Sequence, residues 1–497
     1  MREADPDLLR RLDIRTALET ESSAPRRDLL PIQVGDLAAQ TKLDEVAGLI
    51  ATRAQEGSVG LEPLPIVAAN KWRHGRRPAA AMALPERVLY RSATSLLGDG
   101  LAPERQEDDH ATFLNAPVEN GNKFIIKTDL ANYYSSIHLD RLATVLLSRT
   151  GEWSTVTWLH GFLNALSPDI GGLPQGNFAS DRLADTYADT LLRKLRRRGL
   201  DAWRYSDDFR MGASTYQNAI NALEMFDEEV RAMGLYVNER KTVVLSQEQY
   251  VAHMEKERTF FTEAWKQKRD QLTTVDLYSS LVIAPQGNEV LAAVAMEELQ
   301  AWAEKIATAR ENDEKSIPTK LDLGLVLALL KAAKEPAALV HVPDLLLMEP
   351  QFAHQVAGYL YTMSEVDAEA ADTAVLRTVR TTALGKWKTI WLCYALGNTA
   401  RESFSGPWQP SLNFEVADWL KMQAASNDEI LASHAVWSLA VNRLLTQDIW
   451  SSLNIRPGAF SRQYSAAALG KLSVSDKESL DSGDQFDKII RQWAEKL

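Results

Sequence analysis

The sequence predicts an α+β amino-terminal half followed by an all-α carboxy-terminal half. A short apolar run, a helix, a β-hairpin pattern and an amphipathic helix follow one another within residues 123–235. Beyond about residue 260 the strand-like alternation fades and helix-forming residues dominate. Apolar segments then recur at irregular intervals, as in stacked helical repeats, with a plain helical bundle as the alternative. These segments are centred on Leu360, Leu396, Leu439 and Leu469.

Four segments define the elements of the first half. "KFIIKTDL" (123–130) is apolar and ends in an aspartate, which predicts a buried strand. "ADTYADTLLRKL" (184–195) predicts a helix, and "AWRYSDDFRMGAS" (202–214) predicts a hairpin with polar residues at its centre. "YQNAINALEMFDEEVRAMGL" (216–235) predicts an amphipathic helix that is closed near Gly234.

Composition sets the class of protein. A chain of 497 residues, 45% of them hydrophobic, is long enough for two or three domains. Its single cysteine, Cys393, excludes an internal disulfide framework and a cysteine-rich zinc site. No apolar run approaches the roughly 20 residues of a membrane span, and the first residues are charged. We therefore expect a soluble, cytoplasmic protein without membrane partners.

Charge argues against extensive nonspecific binding to nucleic acid, since the net charge is −12. Two segments are locally basic: residues 71–91 and "RKLRRR" at 193–198. Each is compatible with a basic channel inside an acidic protein, but a solvated helix face is the commoner origin of such a run. The sequence leaves both interpretations open.

Two adjacent aspartates, Asp207 and Asp208, occupy the centre of the predicted hairpin. They would repel each other unless they lie in an ordinary solvated turn or hold a divalent cation. Asp129 ends the predicted strand of residues 123–130. Strand ends and hairpin turns can meet on one sheet, so the three carboxylates are candidates for a two-metal nucleotidyl-transfer site.

Four ordered segments carry a family resemblance. "IIKTDLANYYSSI" (125–137), "GGLPQGNFAS" (171–180), "RYSDDF" (204–209) and "GLYVNERKT" (234–242) resemble motifs A to D of the reverse-transcriptase palm. "RRPAAAMALPERVLYRSATSLL" (76–97) resembles the fingers segment of the same enzymes. The resemblance covers roughly residues 65–245.

The resemblance implies a catalytic set. Asp129, Asp207 and Asp208 would bind the metal ions, which are Mg²⁺ or alternatively Mn²⁺ in such enzymes. Lys241 matches the lysine of motif D, which would stabilise charge on pyrophosphate or donate a proton to it.

It also implies contacts to the substrates. Tyr205 would lie near the primer end, and Gln175 and Gly176 near the templating and incoming bases. Tyr134 would be the steric gate, whose ring leaves no room for a ribonucleotide 2′-hydroxyl. Triphosphate contacts are implied for the fingers arginines, without a choice among Arg73, Arg76 and Arg77.

The segments after the palm indicate which class of reverse transcriptase the chain resembles. The chain continues "VVLSQEQYVAH" (243–253) where retron enzymes carry a "VTG" signature, and it has no Cys/His cluster or evident ribonuclease H set. A palm followed by a HEAT-like helical half resembles the abortive-infection (Abi) and other defence-associated reverse transcriptases of bacteria. The predicted domains are a helical extension of the fingers (1–64), fingers and palm (65–250) and a HEAT-like repeat domain (251–497).

That resemblance implies antiphage defence by a homo-oligomer. It implies dNTP polymerisation without a template, giving single-stranded DNA primed by a protein hydroxyl and attached to the protein. In some relatives a noncoding RNA takes part. Two alternatives stay open: a template-copying enzyme that uses a noncoding RNA, and a catalytically idle palm that serves as an interaction scaffold.

Overall fold

The structure is a computed structural model, and it describes most of the chain. The described residues are 6–23, 29–56, 62–71, 75–104, 109–167, 171–262, 274–276, 281–283, 288–311, 323–381, 384–397, 412–453, 458–472 and 484–497. Their strands are β1 (Ile66–Asn70), β2 (Arg76–Ala80), β3 (Phe124–Asp129), β4 (Asp201–Tyr205), β5 (Asp208–Ala213), β6 (Val243–Ser246), β7 (Thr274–Asp276) and β8 (Leu281–Ile283).

Helices make up most of the remaining structure. Those before β6 are α1 (Pro6–Arg11), α2 (Ile14–Ser23), α3 (Val34–Gln40), α4 (Leu43–Gln55), α5 (Leu84–Ser95), α6 (Asp109–Glu119), α7 (Tyr133–Ser136), α8 (Leu139–Thr150), α9 (Trp153–Leu166), α10 (Phe178–Arg197) and α11 (Tyr216–Ala232). Those after β6 are α12 (Gln247–Thr262), α13 (Asn288–Glu311), α14 (Leu323–Ala333), α15 (Val342–Met348), α16 (Ala353–Ser364), α17 (Ala368–Thr381), α18 (Lys386–Leu396), α19 (Phe414–Ala424), α20 (Glu429–Val441), α21 (Gln447–Ser452), α22 (Ala459–Lys471) and α23 (Gln485–Lys496).

These elements confirm the predicted fold class, an α+β half followed by a helical half, although the helical half also contains the short hairpin β7–β8. The predicted strand is β3, the predicted hairpin is β4–β5, and the two predicted helices are the second part of α10 and α11. Among the described residues, none of the helices combines the length and the apolar composition of a membrane span.

The chain divides into two compact units that interleave in sequence. The first consists of Met1–Ala17, Ile50–Leu64 and Pro85–Thr259, and the second of Leu18–Leu49, Pro65–Leu84 and Phe260–Leu497. The predicted domains, with boundaries after residues 64 and 250, are linear in sequence, whereas this grouping is not. The hairpin β1–β2 belongs to the second unit, in which β1 packs against α18.

A four-stranded antiparallel sheet is the centre of the first unit, in the order β4-β5-β3-β6. Because side chains alternate along a strand, Ile126, Phe209 and Met211 share one face and are all fully buried. Helix α11 packs on this face, where the rings of Phe209 and Phe226 lie 5.2 Å apart. The burial of this face fixes the register of the sheet.

The opposite face carries polar and charged side chains toward one end. Its apolar part is Ile125, which packs with Tyr250 and Met254 of α12 and with Leu114 and Val118 of α6. Further along β3 the same face presents Lys127 and then Asp129, by the alternation of the strand.

The helices of the second unit alternate between two layers. Helices α14, α16, α18, α20 and α22 pack successively against one another, and α15, α17 and α19 form a second series beside them. Helices α18 and α20 are buried on nearly all sides, as their apolar composition requires, whereas α17 and α19 keep an exposed face. This stacking is compatible with HEAT-like repeats, an assignment that remains a prediction.

Candidate active site

The pairing of β3 with β5 places Asp129 directly opposite Asp208. The end of the ladder continues into the turn, because the backbone N–H of Leu130 donates to the carbonyl of Asp207 at 3.1 Å. Tyr205 pairs with Asp208 from the other side, on β4. Three of the residues predicted from motifs A and C therefore meet at one end of the sheet, and Asp207 adjoins them in the turn.

A tight turn presents the two adjacent aspartates. Tyr205 and Asp208 are partners, so the loop between them consists of Ser206 and Asp207 alone. Ser206 has a left-handed backbone (φ 55°), which two-residue hairpin loops require. The guanidinium of Arg204 lies 3.0 Å from the carboxylate of Asp185 on α10, and this buried ion pair fastens the strand that leads into the turn.

Asp129 is nearly buried and is held by two side chains of the motif D segment. The ammonium of Lys241 lies 2.8 Å from its Oδ2, and the side-chain amide of Asn238 donates to the same oxygen at 3.1 Å. The backbone N–H of Asn238 also donates to the carbonyl of Asp129 at 2.8 Å. The predicted lysine and the predicted metal ligand are therefore direct partners.

The surroundings of Asp208 perturb its protonation. Burial raises the pKa of Asp208 and the neighbouring Asp129 adds to the rise, whereas Arg210, Lys241 and Lys127 oppose it. Partial burial lowers the pKa of Lys241, but the hydrogen bond and charge of Asp129 outweigh this effect, and the pKa is raised. Lys241 thus stays charged beside the acidic cluster.

The donor set suits a hard divalent cation. Asp129 and Asp208 offer carboxylate oxygens from facing strands, and the ammonium of Lys241 already occupies a cationic position on Asp129. Among the described residues, no three His, Cys, Asp or Glu side chains converge on one point. Asp129, Asp207 and Asp208 are the residues that would hold such a cation, and this role remains a prediction.

Motif A is tied to motif B through Tyr134. The backbone N–H of Leu173 donates to the carbonyl of Tyr134 at 3.0 Å, and the Tyr134 hydroxyl donates to Oδ1 of Asp181 on α10 at 2.6 Å. A Cβ at Gly172 would lie 2.3 Å from the carbonyl oxygen of Tyr134, so only glycine permits this close approach.

The structure shows the exposure or the contacts of the other predicted substrate residues, Gln175, Gly176 and Tyr205. Gln175 is half-buried, and Gly176 is exposed with a φ of 96° that favours glycine. The ring of Tyr205 contacts those of His110 and Phe113, at centroid distances of 4.8 and 6.1 Å. These contacts to α6 fix the orientation of the tyrosine.

The first unit, which contains the aspartate cluster, does not include the fingers arginines. Arg76 and Arg77 lie on β2 and belong to the second unit, while Arg73 lies outside the described residues. Their triphosphate role stays a prediction.

The basic run at 193–198 behaves as a solvated helix end. Arg193 pairs with Asp189 at 2.8 Å, Lys194 with Glu229 at 3.7 Å, and Arg198 with Glu228 at 2.9 Å. These contacts favour the interpretation as an exposed face over that of a channel.

Sequence reasoning missed Asn238, Asp181 and the pair Arg204–Asp185. Asn238 lies inside the quoted motif D segment, and Asp181 directly follows the motif B segment, so proximity to the motifs was the available signal. Their partners are distant in sequence, and neither contact follows from periodicity or spacing.

Comparison with known proteins extends these observations. Residues 89–270 match the family described as reverse transcriptase (RNA-dependent DNA polymerase), and this range includes all four motifs. The chain contains a reverse transcriptase domain. The reverse transcriptase domain indicates a nucleotidyltransferase, as motifs A to D predicted, and such domains generally use divalent metal ions.

Solved structures of telomerase from Candida tropicalis show a remote similarity. One, in complex with a TWJ fragment of telomeric RNA, is 13% identical, with 69% of this chain and 63% of that chain covered and a TM-score of 0.29. The other, apo telomerase, is 11% identical, with 92% and 74% covered and a TM-score of 0.30. The chain thus spans less than two thirds of the first telomerase chain. A search of curated proteins finds no match to this chain.

Proposed function

We propose that the reverse transcriptase domain polymerises dNTPs into DNA in antiviral defence, without a template and from a protein hydroxyl. The observation that carries the polymerase part is the direct pairing of Asp129 with Asp208, beside Asp207 and Lys241. The defence role, protein priming, bacterial cytoplasmic location and homo-oligomer rest on the resemblance of the sequence to Abi-type enzymes.

The three aspartates would serve as the ligands of the divalent cations. Asp129, Asp207 and Asp208 would hold Mg²⁺ or Mn²⁺, which when bound supplies charge stabilisation and lowers the pKa of the attacking hydroxyl. Asp208 must be deprotonated to take part; burial raises its pKa, and the cations Arg210, Lys241 and Lys127 near it oppose the rise.

Lys241 supplies a positive charge beside the aspartates. In this structure its ammonium is bound to Asp129, and its side chain is half-exposed. Lys241 would stabilise negative charge on the pyrophosphate leaving group or donate a proton to it. Asn238 would keep Asp129 oriented, through its side-chain amide and its backbone N–H.

One experiment tests the proposal. The purified full chain is incubated with Mg²⁺ and labelled dNTPs, with and without an RNA template, and the products are separated before and after proteolysis. Template-free product that migrates with protein is the expected result. Product that requires RNA would identify a template-copying enzyme, and no product under either condition would favour an idle palm that acts as a scaffold.

A further inference from the structure

The hydrogen bond between Tyr134 and Asp181 joins the motif A and motif B segments, which the family resemblance places beside the nucleotide. Tyr134 lies on α7, five residues after Asp129 at the end of β3, and Asp181 lies in the first turn of α10, five residues after Gly176. The phenol donates to a carboxylate at 2.6 Å, which is the short distance of a charge-assisted hydrogen bond.

The backbone and one ring edge of Tyr134 are also held, so the hydrogen bond of its hydroxyl restrains the remaining rotation of the ring. Its carbonyl accepts from Leu173, and its ring meets the edge of the Tyr133 ring at 5.8 Å. Tyr133 is itself anchored to α10, because its hydroxyl donates to the carbonyl of Ala184. Backbone and one ring edge are therefore held, while rotation of the Tyr134 ring is restrained at its far end by Asp181.

We infer that Asp181 is a positioning residue for sugar selection, and this inference rests on the proposed polymerase function. A ring excludes a 2′-hydroxyl only while it stays in place, and a phenylalanine or an untethered tyrosine can turn to another rotamer at modest cost. The carboxylate of Asp181 holds the phenol in one orientation. Asp181 thereby determines how strongly the enzyme prefers dNTPs over NTPs, without touching the nucleotide.

The test is a double-mutant cycle on the full chain, with kcat/KM for dATP divided by that for ATP as the readout. Tyr134→Phe and Asp181→Ala should each lower this ratio about tenfold, the scale of one hydrogen bond to a charged group. The double variant should lower it no further, because both changes remove the same bond. Asp181→Asn retains an acceptor oxygen and should keep more of the ratio than Asp181→Ala.

Tyr90→Phe is the matched control. Its hydroxyl is paired with Ser180, the neighbour of Asp181, at 3.1 Å, and its removal should leave the ratio unchanged. An unchanged ratio in an active Asp181→Ala protein would overturn the inference, as would additive effects in the double variant. Thermal unfolding identifies a variant that fails to fold. If Asp181→Ala does not fold, the dATP/ATP ratio of Asp181→Asn tests the inference, and a wild-type ratio in Tyr134→Phe would overturn it.

The outcome separates this inference from the polymerase proposal. If the wild-type protein incorporates no nucleotide, the polymerase proposal fails on its own. The same five variants are then compared by calorimetric binding of dATP and ATP, and the dissociation constant for ATP divided by that for dATP should fall in Asp181→Ala. A ratio of dissociation constants that stays at the wild-type value would overturn the role of Asp181.

Discussion

Arg204 and Asp185 form a buried ion pair, in which Nη1 of the arginine lies 3.0 Å from Oδ1 of the aspartate and the side chains are 11% and 7% exposed. The same guanidinium donates to the backbone carbonyl of Asp185 at 2.9 Å. The pair joins β4 to α10, so it supports the hairpin that carries Asp207 and Asp208.

Arg204→Ala should therefore destabilise the first unit severely. The change leaves the carboxylate of Asp185 buried without its cation, which typically costs about 3–5 kcal/mol. The free energy of unfolding in urea is the measurement. Arg231→Ala is the control, since Arg231 and its partner Asp227 are 66% and 39% exposed and such surface pairs contribute little. Equal losses for the two variants would contradict the assigned importance of the buried pair.

Replacement of both Asp207 and Asp208 by asparagine should abolish polymerisation and, under the proposed defence role, phage protection. The amides keep the size of the side chains and remove the anionic oxygens that a divalent cation needs. Circular dichroism should show a folded protein, because neither side chain belongs to the buried face of the sheet. DNA synthesis at the wild-type level in this variant would refute the catalytic assignment.

Tyr134→Ala should raise incorporation of ribonucleotides relative to deoxynucleotides. The whole ring is removed, so the change in preference should exceed that of the proposed Asp181→Ala variant. Incorporation from matched dNTP and NTP mixtures is the measurement. If activity persists and the preference stays the same, Tyr134 is not the gate.

The second unit should lose stability in mild acid because of His434. Burial lowers the pKa of this histidine to about 3, whereas an unfolded histidine titrates near 6.5. Between these values the unfolded state binds more protons, so the contribution to stability is lost as the pH falls from about 6.5 toward 3. The slope attributable to His434 is at most about 1.4 kcal/mol per pH unit.

Urea unfolding at pH 7.5 and pH 5 measures this slope. His434→Gln should flatten it, whereas Tyr464→Phe, which removes the hydroxyl 3.2 Å from His434 Nε2, should keep it. Identical slopes in wild type and His434→Gln would show that the buried imidazole does not set the acid sensitivity.

A fragment that ends near residue 255 should lose polymerase activity even where the sheet remains folded. Tyr250 and Met254 are retained and keep their contacts with Ile125. Within the second unit, however, α3 loses α22 and α23, and β1 loses α18. Circular dichroism, light scattering and dNTP incorporation test this, and a folded, fully active fragment would mean that the carboxy-terminal half serves regulation alone.

The sequence by itself determined the order and chemistry of the site. Strand β3, the hairpin β4–β5 and helix α11 are local patterns of alternating or helical periodicity, and they lie where those patterns predicted. The adjacent aspartates of the hairpin and the aspartate at the strand end indicated one acidic cluster, because antiparallel pairing brings strand ends and turns together.

Tertiary structure alone decided which side chains hold that cluster and how the chain is partitioned. Asn238 meets Asp129 and Asp181 meets Tyr134 across 109 and 47 residues of sequence, through the packing of separate elements. The hairpin β1–β2 joins the second unit because β1 packs on α18, far along the chain. Periodicity records which face of an element is buried, but the partner on that face depends on the packing of the whole chain.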